Sequence, residues 1–246
     1  MATQSTFILL VKQDLKRRSR GKRRIPRQWW LIYLAVLFLF AVVLATYAGM
    51  KGNIDIHFTW NFMPAMLFAV FGITIGLTIH EWKNGTVGWW LSLPFSRQTL
   101  AFSKFCAGLI RGILVILAVF VIIGLFGLYI MLLKGGFQFS DYFSFLVPGS
   151  KWLVFLIGLS PFMASLGLIY SVIKESRIRP ILPLFWFCWG ITWWLVSSVF
   201  SQKFWIIEAG SFTLSIHILY CIVFSWIIAY VLIHLSAYIL KRQMAL

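Results

Sequence analysis

Few side chains in this sequence have types and spacing suited to chemistry. His80 and Glu81 are adjacent, so on a helix they point about 100° apart and make no dyad. His217 and His234 share one apolar run, but at about 1.5 Å per residue they stand roughly 25 Å apart. They cannot hold one metal. Cys106, Cys188 and Cys221 all fall in apolar stretches without metal-ligand spacing, so free, buried thiols are expected. The sequence has no G-x4-G-K-[ST] run to cradle the phosphates of ATP, no H-E-x-x-H and no G-x-S-x-G. Nor does it have the paired intramembrane carboxylates that an ion-coupled carrier uses. No catalytic residue, metal or cofactor is therefore assigned to this chain. The charged candidates are Glu81, Lys104 and Arg111. Glu81 either meets a basic residue on a partner or tethers its own helix end, pairing with Lys104 or Arg111. Arg111 shares a helix face with Lys104 and lies roughly 9 Å beyond residue 105. It snorkels to the interface, pairs with Glu81, or stands at the mouth of a cavity.

The elements that must position these groups are apolar. Of 246 residues, 61 % are apolar and 11 % charged, with a mean hydropathy of +0.90. A soluble domain carries about 25 % charged residues. So few charges cannot cover a water-facing surface, and a soluble globule and a disordered chain are both excluded. The reading is an all-α integral membrane protein. Six runs meet the roughly 20-residue span requirement, at about 29–49, 58–80, 105–133, 152–173, 181–200 and 214–240. Pro64, Pro161 and Pro183 mark kinks or late starts.

The net charge of +16 suggests nucleic acid only until its distribution is considered. With six spans both termini share one side. That side carries 17 basic residues against four on the other, so both termini are expected in the cytoplasm of a plasma-membrane protein. Residues 1–28 form a basic segment ahead of a six-span domain, 29–246. Phe7, Leu10, Val11 and Leu15 make an apolar stripe, with Lys12, Gln13, Asp14 and Lys16 on the other face. That pattern predicts an amphipathic helix in the inner interface. The basic run Lys16–Arg24 reads as an orientation signal with anionic-lipid contact, or as a site for a cytoplasmic partner.

The stretch 81–104 between the second and third spans is aromatic and amphipathic, with Pro94 ending any preceding helix and Ser96 placed to cap the next. An apolar loop at the cytoplasmic face needs something to pack on. Here Glu-x3-Gly-Thr, then Leu-x-Leu-Pro-x-Ser-Arg and a lysine, are Glu81, Gly85, Thr86, Leu91, Leu93, Pro94, Ser96, Arg97 and Lys104. The run resembles the permease subunits of type-2 ATP-binding-cassette exporters, of the small six-span bacterial kind that exports peptides or drugs. The resemblance implies an amphipathic helix before span one and a coupling helix between spans two and three. It also implies two copies of a separate ATPase that uses ATP and Mg, and a second permease, identical or not. Glu81, Gly85, Thr86, Trp89, Leu93, Pro94, Ser96 and Arg97 would then couple to the ATPase, with Trp82, Trp89 and Leu93 as a buried anchor. The outer loops are small, and residues 201–213 allow at most a short helix, which disfavours polymer export.

Two patterns within the membrane complete the reading. Gly72-x3-Gly76 and Gly108-x3-Gly112 allow close helix contact, most simply inside one subunit. Trp186, Trp189 and Trp193 follow helical spacing. They are core or lipid-facing, or they line a wide apolar cavity suited to an amphipathic peptide or lipophilic drug. A stand-alone carrier, or an immunity or sensor protein that binds toxic peptides without an ATPase, is the competing function. A membrane enzyme would need convergent polar groups that the sequence lacks.

Overall fold

Apolar runs of this length satisfy their backbone only as helices, since lipid offers no hydrogen-bond partners. The structure, a computed structural model, describes residues 2–16, 56–86, 92–133, 138–187, 189–190 and 216–242, with 32, 36, 43, 46 and 88 besides. Helix α1 spans Ala2–Lys16. A 3-10 segment, Ile56–Ala65, leads into α2, Met66–Lys83. Then follow α3 (Arg97–Leu133), α4 (Phe139–Lys174) and α5 (Ile216–Arg242). Four helical stretches among the described residues are long and apolar enough to cross a membrane: Thr59–Lys83, Arg97–Leu133, Phe139–Lys174 and Leu219–Arg242. The first expected span, 29–49, is described only at isolated positions. Most of the fifth, 181–200, lies outside the described residues. The count of six therefore remains an expectation.

Helix α4 is the hub, packed on α2, α3 and α5. Its apolar window is 61 % buried, against 22–28 % for the other three, which leave most of their surface for lipid or further partners. It also starts earlier than the apolar run predicts, at Phe139 rather than near 152. Residues 134–151 were expected to be an outer loop, and their helical part runs through Pro148. Hydropathy detects only the apolar stretch of a helix and cannot register a polar extension carrying Asp141, Ser144 and Lys151. Inside α4, Pro161 supplies no N–H for the Ile157 carbonyl. The Ser160 hydroxyl donates to that carbonyl instead, at 2.8 Å.

Close approach of helices rests on small residues. A side chain at Gly108 or Gly112 of α3 would overlap Thr74 or Val70 of α2, so this glycine pair is where the two helices meet. The other pair behaves differently. Gly72 and Gly76 are exposed, and an added Cβ would touch nothing within 4 Å among the described residues. Between α4 and α5, Gly158 admits Ile222, and the Trp226 indole donates to the Gly158 carbonyl at 2.9 Å.

Short joints between α2 and α3, and between α3 and α4, make these neighbours antiparallel. Lys83, Arg97, Lys104 and Lys174 therefore gather at one end, here called the basic end. At the far end, Trp60 is buried with its ring centroid 5.0 Å from Phe145 and 5.4 Å from Phe120. Its indole donates to the Phe145 carbonyl at 2.9 Å, and it fits only because Gly149 has no side chain.

Candidate coupling site

The basic end is organised by how α2 stops. Gly85 has φ +67, a left-handed backbone that favours glycine. The Thr86 N–H reaches back to the Glu81 carbonyl at 3.0 Å and the Gly85 N–H to the Trp82 carbonyl at 3.1 Å. These two bonds form a Schellman stop. In this arrangement residue 86 folds back over residue 81. The Thr86 hydroxyl uses that proximity, donating to Glu81 Oε2 at 2.5 Å. Glu-x3-Gly-Thr is thus the sequence of a helix stop whose first and last side chains bond to each other.

The second carboxylate oxygen of Glu81 accepts from Lys104 Nζ of α3 at 2.8 Å. The same ammonium donates to Asp14 Oδ1 of α1 at 2.6 Å. All three residues are buried, with Lys104 only 2 % exposed and Glu81 1 %. One lysine therefore ties three helices together. Two turns further along α3, Arg111 donates to the main-chain carbonyls of Asp14 and Leu15. These carbonyls lie in the last turn of α1, where a cation meets unpaired acceptors and the negative end of the helix dipole. Asp14, Glu81, Lys104 and Arg111 sum to zero formal charge. A burial of charge that would otherwise be prohibitive is thereby offset by pairing and hydrogen bonds. Together they floor a cleft of about 560 Å³ walled by Ile73, Leu77, Leu114 and Val115.

Two sequence candidates can be placed. Glu81 meets Lys104 of α3 at the end of its own helix. Arg111 holds the last turn of α1 and lines the cleft. Asp14 is the residue that sequence reasoning missed, because it was placed on the polar face of α1. Phe7, Leu10, Val11 and Leu15 are all at least partly buried, and Asp14 is buried with them. It stands seven residues after Phe7 on the same stripe. A carboxylate completing an apolar stripe is the signal that could have found it.

Beyond Thr86 the loop is described only in part. Trp89 lies outside the described residues. Trp82, Leu93 and Phe95 are partly buried against the chain's own core, whereas Ser92, Pro94 and Ser96 are exposed. Ser96 caps α3, its hydroxyl accepting the Thr99 N–H at 3.1 Å, and Arg97 opens the helix. Gly85 and Thr86 are tied to α2, and the side chains exposed just before α3 are Ser92, Pro94 and Ser96. The other candidate group sits on the opposite flank of α2. Trp189 stacks on Phe71, with centroids 6.3 Å apart, and Trp186 meets Tyr170 of α4 at 5.5 Å. Trp193 lies outside the described residues. No group of three metal-ligating side chains occurs among the described residues.

A buried ion brace behind a helix stop, at the basic end of a bundle of membrane-length helices, gives the family comparison its setting. The family model described as "ABC-2 family transporter protein" matches residues 22–192, well over half of the chain. The chain belongs to the ABC-2 transporter family. It is accordingly a membrane-spanning permease subunit of an ATP-binding-cassette transporter, and membership implies association with an ATP-binding-cassette ATPase. The matched region includes the helix stop, Lys104 and Arg111 but begins after Asp14. Comparison with curated proteins and with solved structures gives no match.

Proposed function

We propose that this permease works in an exporter and that residues 81–97 pass the motion of a separate, cytoplasmic ATPase into the membrane. The supporting observation is the Lys104 brace. A push on the loop enters at the Glu81–Thr86 stop and at the Ser96 cap, and α2, α3 and α1 must respond together because one buried ammonium joins them. The exposed Ser92, Pro94 and Ser96 with Trp89 would form the contact with the ATPase, with Glu81, Gly85, Thr86, Leu93 and Arg97 supporting it from behind. ATP and Mg would be used entirely by the partner. The functional unit would be two ATPases with two permeases, identical or not, in a bacterial plasma membrane with both termini cytoplasmic. An apolar pathway flanked by Trp186, Trp189 and Trp193 would suit an amphipathic peptide or lipophilic drug.

The test is a pull-down from native membranes followed by a substrate-stimulated ATPase assay, on the natural chain and on Trp89→Ala and Pro94→Ser. Truncating a buried anchor costs about 2 kcal/mol or more, roughly a thirtyfold loss of affinity. Both variants should fold with an unchanged melting temperature while ATPase recovery or substrate stimulation falls. Full recovery and stimulation in both would place the contact elsewhere. Hydrolysis by a preparation free of any ATPase chain would end the subunit reading.

A further inference from the structure

The turn after α4 is built rigidly around a recess. Ser176 is buried, its hydroxyl and N–H both reaching the Ile173 carbonyl, at 2.9 and 3.2 Å. The Arg179 N–H then bonds to the Ser176 carbonyl at 3.1 Å and opens a 3-10 turn, Arg179–Ile181. Pro180 within the turn and Pro183 after it stiffen the chain. The recess that results has a volume of about 650 Å³ and is lined by Lys174, Arg179, Pro180, Leu182, Pro183 and Trp186. It is open, and its lining combines two cations with apolar, indole-bearing residues.

The cations separate this recess from the Lys104 brace. Lys104 has two carboxylates, but the side chains of Lys174 and Arg179 make no ion pair or hydrogen bond among the described residues. The neighbouring Glu175 is exposed and does not line the recess, and Arg177 adds a further exposed positive charge. Next to the wall, Ile181, Leu184 and Phe187 point outward at 47, 58 and 65 % exposure. This places positive charge at the end of a membrane-length helix, above a continuous greasy face.

We infer that this recess is a binding site for an anionic phospholipid, with its phosphate on Lys174 and Arg179 and its acyl chains along Leu182, Trp186 and the outward apolar face. A free phosphate would satisfy only the cations and leave the wall wet. A nucleotide would want backbone N–H donors, and the two prolines of this turn remove two of them. A protein partner would suit a projecting surface better than a recess at lipid depth. Basic pockets between membrane helices hold anionic headgroups, and each cation near an anionic leaflet contributes enough that two should favour such a lipid roughly tenfold or more. Only the choice of leaflet rests on the orientation proposed above. Reporter fusions at the termini test that orientation separately.

The experiment is native mass spectrometry of the full-length permease, delipidated and titrated with phosphatidylglycerol or phosphatidylcholine. The variants are Lys174→Gln/Arg179→Gln and, as a charge-matched control at another helix end, Lys241→Gln/Arg242→Gln. The natural chain and the control should retain phosphatidylglycerol at least tenfold better than phosphatidylcholine, and the Lys174/Arg179 variant should retain both alike. Inorganic phosphate at the same concentration should not compete. Undiminished preference in the Lys174/Arg179 variant would overturn the site, as would loss of that preference to the same degree in the control. Competition by inorganic phosphate would reduce it to an anion site. Unchanged lipid retention with reduced recovery of the ATPase would make the recess a protein contact instead. Because neither side chain has a partner among the described residues, the natural chain and the Lys174/Arg179 variant should melt alike in phosphatidylcholine micelles.

Discussion

The two ends of the helical bundle are held together by different physics. At the basic end Lys104 joins Asp14 and Glu81, and Arg111 clamps α1 by its last carbonyls. At the far end Trp60, Phe145 and Phe120 interlock, with Gly149 leaving room for the indole. Charge pairs are few, directional and costly when half removed, whereas packed rings lose energy in proportion to the atoms deleted. An end joined by charge holds one arrangement until a partner is lost. An end joined by shape yields by degrees. The first property suits the place where a partner would apply force, and the second suits a region that must accommodate it.

Removing the lysine should break this contrast most sharply. Lys104→Met removes the ammonium that sits between two buried carboxylates, an expected loss of about 3–5 kcal/mol. Thermal unfolding in detergent should show it, and adding Asp14→Asn with Glu81→Gln should restore most of the loss. If the single variant melted like the natural chain, the brace would contribute nothing. At the far end, Trp60→Phe keeps an aromatic ring but loses the indole bond to the Phe145 carbonyl and leaves a gap beside Gly149, for about 1–3 kcal/mol. No companion substitution at a charged position should rescue it. Rescue by a change at the basic end would show that the two ends are one cooperative unit. The smallest effect is expected at the helix stop. Gly85→Ala puts a side chain at φ +67 and should cost about 1–2 kcal/mol. Its melting point should fall only slightly, while the spacing between residues 81 and 96, read by paired spin labels, should broaden. An unchanged distance distribution would mean that the stop does not set the loop's geometry.

What could be read from the sequence follows the range of the interactions. The cap at Ser96 depends on residues within a few positions and was visible as spacing, whereas the helix end was assigned to Pro94 and falls instead at Gly85. Lys104 could be paired with Glu81 because the loop between them is short. The third expected span, 105–133, found the apolar part of α3, and the helix itself starts at Arg97. The link from Asp14 to Lys104 was hidden. Nothing local distinguishes a carboxylate on the wet face of a surface helix from one turned inward to meet a lysine 90 residues later. The two glycine pairs are likewise alike in spacing and opposite in outcome, because contact depends on what the neighbouring helix presents. Val70 and Thr74 face Gly112 and Gly108, and no described residue faces Gly72 or Gly76.

The clamp on α1 has a consequence in time. Helix α1 leaves the ribosome before α3, and the groups that hold it, Lys104 and Arg111, come 90 and 97 residues after Asp14. At about 5–20 residues per second, several seconds of synthesis separate them. During that interval Asp14 is a charged carboxylate without Lys104, and it stays with water rather than entering lipid. Docking of α1 therefore records that the helix carrying Lys104 and Arg111 has been made and inserted the right way round. A chain with that helix inverted would leave its first helix adrift, a visible mark of misassembly before the last span is translated.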